Sequence, residues 1–328
     1  MKEILNQLFS EQKLSREQAK EVLVDIASAK YPATQVAAFL AVFRMRPVSP
    51  EELSGFRDAM LELAVQVDLS QYDAIDLCGT GGDGKNTFNI STLCSFVVAG
   101  SGVNVSKHGN YGVSSVCGSS NVLEYLGIEF AKDEAGLRQQ LDTAGICFLH
   151  APLFHPAMKH VAPIRKELGV STFFNMLGPI VNPSRPKKQI IGVYSLELAR
   201  LYNEVLKSGD QSYALIHSLD GYDEVSLTGD VNVLTREEDK NYSPGDLGLE
   251  LVKPEEIHGG DSVEEAGEIF TKIISGEGSK AQNEVVIANA AFAIRCACPD
   301  KSIVECVSQA RESLESGKAK SVLTKLVS

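Results

Sequence analysis

Basic residues are scarce in this sequence. Lysine and arginine number 31 against 43 aspartate and glutamate residues, which gives a formal net charge of -12. Surfaces that bind nucleic acids or anionic membranes need a broad positive field. The charge balance therefore argues against nucleic acid and membrane as partners, while a local phosphate site remains compatible with it. The sequence also has no apolar run of membrane-spanning length and no internal repeat.

A secretory signal and a disulfide framework are missing as well. Met1 to Gln18 is charged and amphipathic, unlike a signal peptide. The seven cysteines are an odd number scattered through apolar segments, as expected of free thiols in a reducing cytosol. Cys296 and Cys298 have no partner pair, so the evidence for a zinc site is weak. We expect a cytoplasmic protein.

The length of 328 residues predicts one large and one smaller domain.

The N-terminal part of the chain is helical in pattern. From Met1 to about Leu69, apolar residues recur at helical spacing, and Ser15 with Gln18 resembles a capping box. These helices either cap their own domain or cover a partner subunit, and the residues alone do not decide between the two.

Beyond Tyr72, short apolar runs alternate with helical segments. This alternation predicts a mostly parallel central sheet flanked by helices. The fold class is therefore α/β, with a small N-terminal helical domain (1–69) and a large α/β domain (70–328). A stretch at about 162–184 interrupts the alternation and is expected to join the helical domain in space. The candidate strands are Ala74 to Cys78, Val103 to Val105, Ile146 to Leu149, Gln189 to Tyr194 and Ala214 to His217, followed by a pair at 225–229 and 231–235.

Unusual polar clusters follow four of the candidate strands. They read GTGGDG, KHGN, HAPLFHP and HSLDGYDE in chain order. Ligands of open α/β sheets bind beyond the carboxyl ends of the strands. Four separate runs thus place their polar residues at the same edge, which predicts the binding site there.

The central stretch of the sequence is Asp76 to Thr92, DLCGTGGDGKNTFNIST, with its companion Lys107 to Ser120. Glycines let the main chain turn sharply and approach a ligand with its N–H groups directed inward. Ser91 or Thr92 is a natural N-cap for the apolar run that follows, and a helix N-terminus attracts phosphate. Together the two loops predict a cradle for an extended anionic ligand that carries phosphate.

Two alternatives for the glycine-rich loop are weaker. Gly79, Gly81 and Gly84 satisfy the dinucleotide fingerprint, yet no helix follows at once. The segment Val103 to Lys107, where an acidic ribose contact belongs, contains no Asp or Glu. A plain structural turn is the other alternative, and four glycines with an aspartate are costly to keep in one.

Two carboxylates after the last parallel strand are candidate metal ligands. Asp223 and Glu224 are adjacent, and Mg²⁺ typically takes one or two carboxylates together with ligand phosphates and water. Ser91 is a candidate hydroxyl ligand for a second ion, so the expected cofactor is Mg²⁺ as two ions. Arg165 is suited to a carboxylate ligand, although a surface role fits it equally well. The histidines at a spacing of five line the site or serve structure: His150, His155 and His160.

The motifs GTGGD, NIST, KHGN and the GSS that follows VSS resemble the signature loops of the anthranilate phosphoribosyltransferase family. The resemblance covers nearly the whole chain. It implies a small helical domain that mediates a homodimer, and a large α/β domain related to class II nucleoside phosphorylases. It also implies transfer of a phosphoribosyl group from 5-phosphoribosyl 1-diphosphate to anthranilate with Mg²⁺, in tryptophan biosynthesis. A nucleoside phosphorylase and a non-catalytic binding relative are the alternatives.

The resemblance assigns roles to individual positions. It implies that anthranilate contacts Gly79, Asn110 and Arg165, and that magnesium contacts Ser91, Asp223 and Glu224. It assigns no general base. The positions that it matches to the phosphoribosyl-diphosphate loops are Gly79, Gly82, Asp83, Thr87, Asn89, Ile90, Ser91, Thr92, Lys107, His108, Gly109, Asn110, Tyr111, Gly112, Val113, Ser114, Ser115 and Ser119.

The sequence departs from the family pattern at three places. Tyr111-Gly112 stands where Arg-Ser is common. The motif commonly written GSAD ends here in Asn121, and Ser171-Thr172 stands where Arg-Thr is expected. Loss of an arginine near phosphate weakens binding unless Lys107 and backbone N–H groups suffice. These departures concern the strength of donor binding rather than the class of reaction.

Overall fold

The N-terminal helical layer consists of four helices in the computed structural model, which describes residues 1–112 and 116–328. They are α1 (Lys2–Phe9), α2 (Arg16–Ala27), α3 (Ala33–Met45) and α4 (Pro50–Leu63). The predicted capping box at the start of α2 is confirmed, since the Ser15 hydroxyl accepts a hydrogen bond from the Gln18 N–H. Ser49 caps α4 in the same way.

A later segment packs onto this layer. It contains α9 (Ala162–Leu168) and α10 (Phe174–Leu177). The Phe173 ring stacks on the Phe56 ring with centroids 4.1 Å apart, and their cluster continues into the buried residues of the central sheet. The helical layer thus shares a core with the rest of the chain, and the domain boundary at residue 69 stays a prediction.

In the part of the chain that the structure describes, the central sheet has seven strands in the order β3-β2-β1-β4-β5-β6-β7. The first five are parallel and the last two antiparallel, which confirms the mostly parallel α/β sheet. The strands are β1 (Ile75–Gly79), β2 (Val105–Gly109), β3 (Ile146–His150), β4 (Lys188–Gly192), β5 (Ser212–Ser218), β6 (Val231–Thr235) and β7 (Asp239–Tyr242).

One predicted strand pair is wrong. Residues 225–229 form no strand, and the partner of β6 is β7. The backbone N–H and C=O of Val225 both bond to the Asn289 side chain, each at 2.8 Å, so they cannot join a ladder. Leu227 has φ of 58°, a left-handed conformation that ends any extended run.

Strand β2 also differs from its prediction. It begins at Val105 and runs through Lys107 and His108, both buried polar residues, rather than ending at Val105. Apolar patterning does not detect such a strand, because its polar side chains are buried with hydrogen-bond partners.

The remaining helices cover both faces of the sheet. Helix α13 is buried along most of its length and packs with α5 on one face, while α4 and α11 pack on the other. No helix among the described residues is both long and apolar enough to cross a membrane. These helices are α5 (Ile90–Gly100), α6 (Ser119–Tyr125), α7 (Glu134–Ala144), α8 (Ala151–Phe154), α11 (Leu196–Lys207), α12 (Val263–Ile274), α13 (Lys280–Ala297), α14 (Ile303–Glu315) and α15 (Lys318–Val327).

Candidate active site

A cavity of about 640 Å³ lies beyond the carboxyl ends of β1 and β2. It collects the glycine-rich loop after β1, the KHGN segment at the end of β2 and the two carboxylates after β5. The third polar cluster contributes only Ala151 to the lining. The cavity therefore occupies the sheet edge at which the sequence placed the site.

The lining contains all the described residues that the sequence analysis named for substrates or metal. Val113, Ser114 and Ser115 lie outside the described residues, and the roles of the others stay predictions at this point. The named residues in the lining are Gly79, Gly82, Asp83, Thr87, Asn89, Ile90, Ser91, Thr92, Lys107, His108, Gly109, Asn110, Tyr111, Gly112, Ser119, Arg165, Asp223 and Glu224.

The glycine-rich loop folds tightly around Asp223. Gly81 and Gly82 have φ of 61° and 81°, a region that glycine adopts without strain. The Gly81 N–H donates to Asp223 Oδ2 at 2.8 Å. A Cβ atom on Gly79 would lie 2.8 Å from the same oxygen, so a side chain there would displace the carboxylate.

The predicted cap of the helix after this loop is wrong. Helix α5 begins at Ile90 with Asn89 as its N-cap, so Ser91 and Thr92 lie in its first turn. The Asn89 side chain makes no cap bond, because its amide donates to the Cys117 carbonyl at 3.0 Å. The Asn89 side chain therefore does not cap the first N–H groups of α5, and the residues of this first turn line the cavity.

The second loop is held by reciprocal hydrogen bonds. The Asn110 N–H donates to the Ser119 hydroxyl, and that hydroxyl donates to the Asn110 carbonyl, both at 3.2 Å. Asn121 accepts from the N–H groups of Gly112 at 3.1 Å and Gly118 at 3.0 Å. The departure at Asn121 thus gives a neutral residue that ties the two ends of the loop together.

Tyr111, at the first of the three departures, takes part in a separate contact. Its hydroxyl donates to a Glu124 carboxylate oxygen at 2.8 Å, and its side chain is 40% exposed. Tyr111 therefore does not supply the positive charge that the family pattern places there. Lys107 and main-chain N–H groups in the lining can still donate to an anion there.

Lys107 lies at the back of the cavity. Its ammonium donates to the Leu77 carbonyl and to the Ser91 hydroxyl, the latter at 3.3 Å. An ammonium has three N–H donors, so one is left for a ligand. The side chain is only 2% exposed, and a lysine so buried keeps its charge best beside carboxylates.

Sequence reasoning missed the carboxylate beneath Lys107. Asp76 is fully buried in β1 and accepts from the His108 N–H at 3.0 Å and the Asn182 amide at 2.9 Å. Burial raises the pKa of Asp76 to about 6, and the charge of Lys107 opposes that rise. An aspartate between Ile75 and Leu77 in an apolar strand was the available signal. Asn182 gave none, because it is distant in sequence.

Asp223 and Glu224 form a carboxylate pair suited to a cation. Burial raises the pKa of both side chains, with the neighbouring charge of Asp83 adding to the rise at Asp223 and that of Asp223 at Glu224. A divalent cation would restore the ionised forms. Among the described residues no group of three or more His, Cys, Asp or Glu side chains could hold a metal alone. The donor set therefore fits Mg²⁺ that is also bound by ligand phosphates.

Arg165 forms the opposite wall. Its Nη2 donates to the Asn175 side-chain oxygen at 3.1 Å, and its guanidinium lies 5.1 Å from the Phe174 ring centroid. In the described part of the chain it has no carboxylate partner within 4.0 Å. A fixed guanidinium without an anion, beside an aromatic ring, is suited to an aromatic carboxylate.

The three histidines at a spacing of five lie outside the lining. The Ser120 hydroxyl lies 2.8 Å from Nδ1 of His150, which also stacks on Phe130 with ring centroids 4.4 Å apart. His155 is 5% exposed, while His160 is exposed. His150 and His155 are therefore structural.

His155 should make the protein sensitive to acid. Burial lowers the pKa of His155 from 6.5 to about 3, so the unfolded chain binds the proton first. Its contribution is present above pH 6.5 and is lost as the pH falls towards 3. Between pH 7 and pH 5 the protein should lose about 2 kcal/mol of unfolding free energy through this residue. In urea unfolding at both pH values, His155→Phe should lose about 2 kcal/mol less than the wild type.

The matched control is His160→Phe, which makes the same change at an exposed position. It should leave the pH dependence of stability unchanged. An unaltered pH dependence in His155→Phe would show that His155 is not held neutral by burial.

The chain is similar to known proteins over nearly its whole length. Residues 71–320 match the family model described as glycosyl transferase family, a/b domain, and residues 2–64 match that of the helical bundle domain of the same family. An anthranilate phosphoribosyltransferase of Flavobacterium johnsoniae is 56% identical over 99% of this chain and 98% of its own length. One of Christiangramia forsetii is 57% identical over 97% of this chain and 96% of its own.

Solved structures of anthranilate phosphoribosyltransferases are also similar to this chain. The anthranilate phosphoribosyltransferase of Thermus thermophilus superposes with a TM-score of 0.92 at 33% identity, covering 98% of both chains. The Saccharomyces cerevisiae enzyme in complex with PRPP and Mg has a TM-score of 0.90 at 29% identity, covering 98% of this chain and 95% of its own.

Proposed function

Because this chain belongs to the anthranilate phosphoribosyltransferase family, we propose that it transfers the 5-phosphoribosyl group of 5-phosphoribosyl 1-diphosphate to the amine of anthranilate. The products are N-(5-phosphoribosyl)anthranilate and diphosphate, in the second step of tryptophan biosynthesis from chorismate. The observation that carries this proposal is the single cavity in which the glycine-rich loop, the carboxylate pair and Arg165 meet. An anionic donor and an aromatic acid need these three elements side by side.

The donor side of the cavity is built to receive phosphate. We assign the diphosphate to the N–H groups of the glycine-rich loop, the start of α5 and the remaining N–H donor of Lys107. Two Mg²⁺ ions are assigned to Asp223, Glu224 and the Ser91 hydroxyl, where they would neutralise the departing diphosphate. The chain's own contribution is to fix Asp223, since the Gly81 N–H donates to its carboxylate and the lack of a side chain at Gly79 leaves room for it.

The acceptor side orients anthranilate. Arg165 would bind the carboxylate of the ring in a two-pronged contact, with Asn110 and the main chain at Gly79 alongside. This places the amine towards the anomeric carbon of the donor, so catalysis there is a matter of positioning. An aromatic amine is already a usable nucleophile, and no general base is assigned.

Arg165→Gln should raise the KM for anthranilate by about a hundred-fold with a smaller change in the KM for the donor, because a charge-assisted contact of about 2–3 kcal/mol is lost. The KM of Arg165→Lys for anthranilate should lie between those of the wild type and Arg165→Gln, since lysine keeps the positive charge but lacks the two-pronged guanidinium. Steady-state kinetics with each substrate varied in turn would measure this. An equal rise in both KM values would argue against a specific contact with anthranilate.

The activity itself is tested by the loss of anthranilate fluorescence. Purified protein with 5-phosphoribosyl 1-diphosphate and Mg²⁺ should consume anthranilate, and EDTA should stop the decrease. If the donor binds but fluorescence is constant, the acceptor is another aromatic amine or a nucleobase. A nucleoside phosphorylase would instead release a free base from a nucleoside with inorganic phosphate.

We also propose a cytoplasmic homodimer formed through the helical layer. Phe9 at the end of α1 is 64% exposed and Met45 at the end of α3 is 87% exposed, and such apolar side chains suit a contact between subunits. The seven free cysteines suit a reducing compartment. Light scattering after size-exclusion chromatography would report the dimer, and Phe9→Glu with Met45→Glu should shift it to a monomer.

A further inference from the structure

A second cavity, of about 650 Å³, lies at the opposite end of the sheet. It is bounded by α4, by the segment leading into β4 and by the loop before β5. These are the amino ends of the two strands, whereas the candidate active site lies at the carboxyl ends of β1 and β2. Among residues 1–112 and 116–328, none lines both cavities. The second cavity is therefore a separate feature of the fold.

The acidic residues around this cavity are mostly neutralised by partners. Glu62 pairs with Lys20 at 2.5 Å, and Asp58 pairs with Arg16 at 2.6 Å. Asp210 is the third carboxylate in the lining. The cations that remain are Arg57, Arg185 and Lys187.

Arg57 is a cation without a partner. Its side chain is partly buried, and within residues 1–112 and 116–328 it makes no ion pair or side-chain hydrogen bond. Burial lowers the pKa of Arg57, and the positive charges of Arg16 and Arg185 act in the same direction while Asp58 opposes them. An arginine nevertheless stays protonated. A partly buried and unpaired guanidinium is unfavourable unless an anion joins it.

Arg185 directs a second guanidinium to the same space. One of its nitrogens lies 3.3 Å from both the Leu61 carbonyl and the Gln66 side-chain oxygen, which leaves other N–H groups of the fork unused. Its backbone has φ of 48°, in the left-handed region. Asn182 also lines the cavity and donates to Asp76, so the cavity lies directly behind the hydrogen bonds that support Lys107.

We propose that this cavity binds a small oxyanion, a phosphate or a carboxylate group, between Arg57, Arg185 and Lys187. Two guanidinium forks and an ammonium match the planar or tetrahedral oxygens of such groups. The protein carries a net charge of -12, so this positive pocket is a local exception to its overall field. The bound group would join the helical layer, through Arg57, to the segment that precedes β4.

Isothermal titration of the full-length protein with inorganic phosphate tests this site. The titrations omit 5-phosphoribosyl 1-diphosphate, because its own phosphate groups would compete for this cavity, and the phosphate binding that the cavity variants lose is assigned to it. Arg57→Gln should weaken phosphate binding at least ten-fold, and Lys187→Gln, at an exposed position, should weaken it several-fold. The matched control Arg200→Gln removes an exposed arginine outside both cavities and should bind phosphate as the wild type does.

A parallel titration with succinate separates the two kinds of oxyanion, and binding of either at this site supports the proposal. Thermal unfolding checks that each variant is folded; if Arg57→Gln is not, Arg185→Gln and Lys187→Gln decide the matter. The proposal is overturned if neither anion binds to the wild type. It is also overturned if the folded cavity variants bind with the affinity of Arg200→Gln.

Discussion

Replacing the carboxylate pair, Asp223→Asn with Glu224→Gln, should lower kcat by about a thousand-fold at saturating Mg²⁺. Both side chains lie in the donor cavity, where burial raises their pKa values, with the charge of Asp83 adding to the rise at Asp223 and that of Asp223 to the rise at Glu224. That arrangement is unfavourable without a cation and becomes favourable with one. The variant should also need a much higher Mg²⁺ concentration for half-maximal turnover, which a magnesium titration of the anthranilate assay would measure.

The matched control removes the same charges at exposed positions. This control is Asp230→Asn with Glu237→Gln. Both residues follow the carboxylate pair in sequence and lie outside the cavity lining. It should keep the turnover and the magnesium dependence of the wild type. Unchanged turnover in Asp223→Asn with Glu224→Gln would falsify the metal assignment.

Gly192→Ala should both destabilise the protein and remove most of its activity. Gly192 ends β4, and a Cβ atom there would lie 1.8 Å from the Asp223 carbonyl oxygen. The backbone at Asp223 would have to move, which for overpacking costs about 1–3 kcal/mol. A shift of the Asp223 carboxylate by about 1 Å should lower kcat about a hundred-fold. Urea unfolding and steady-state kinetics would give the two effects separately.

Gly229→Ala is the control for this substitution. Gly229 lies between β5 and β6, in the loop that also contains Asp223. The nearest atom to a Cβ added at Gly229 belongs to Asp220 at 3.9 Å, an ordinary contact. Stability and turnover should stay close to those of the wild type. If Gly192→Ala behaved like Gly229→Ala, the close approach of β4 to Asp223 would not position the carboxylate.

The location of the site could be predicted from the sequence because it follows from local rules. Polar clusters come directly after apolar strands, and parallel strands bring their carboxyl ends to one edge. The glycines at positions 81, 82 and 84 also follow from local geometry, because each has a positive φ, which glycine adopts without strain. These features depend on neighbours in the chain, which a single sequence displays.

The wrong predictions have a common cause. Ser91 or Thr92 was expected to cap α5, but Asn89 is the N-cap, and its amide donates to the Cys117 carbonyl in the other loop. Residues 225–229 were expected to pair as a strand, but Asn289 in α13 takes the backbone groups of Val225. In both places a hydrogen bond between segments distant in sequence sets the local structure.

By itself, the sequence determined the fold class, the edge of the sheet at which the cavity lies and part of the cavity lining. Only the tertiary structure decided which residues support the cavity: Asn182 bonds to Asp76, 106 positions away in sequence, and Gly192 lies against Asp223. It also decided that Arg57 and Arg185 face a second cavity. The physical reason is that motifs record short-range geometry, whereas the burial and pairing of charges depend on which distant segments share a core.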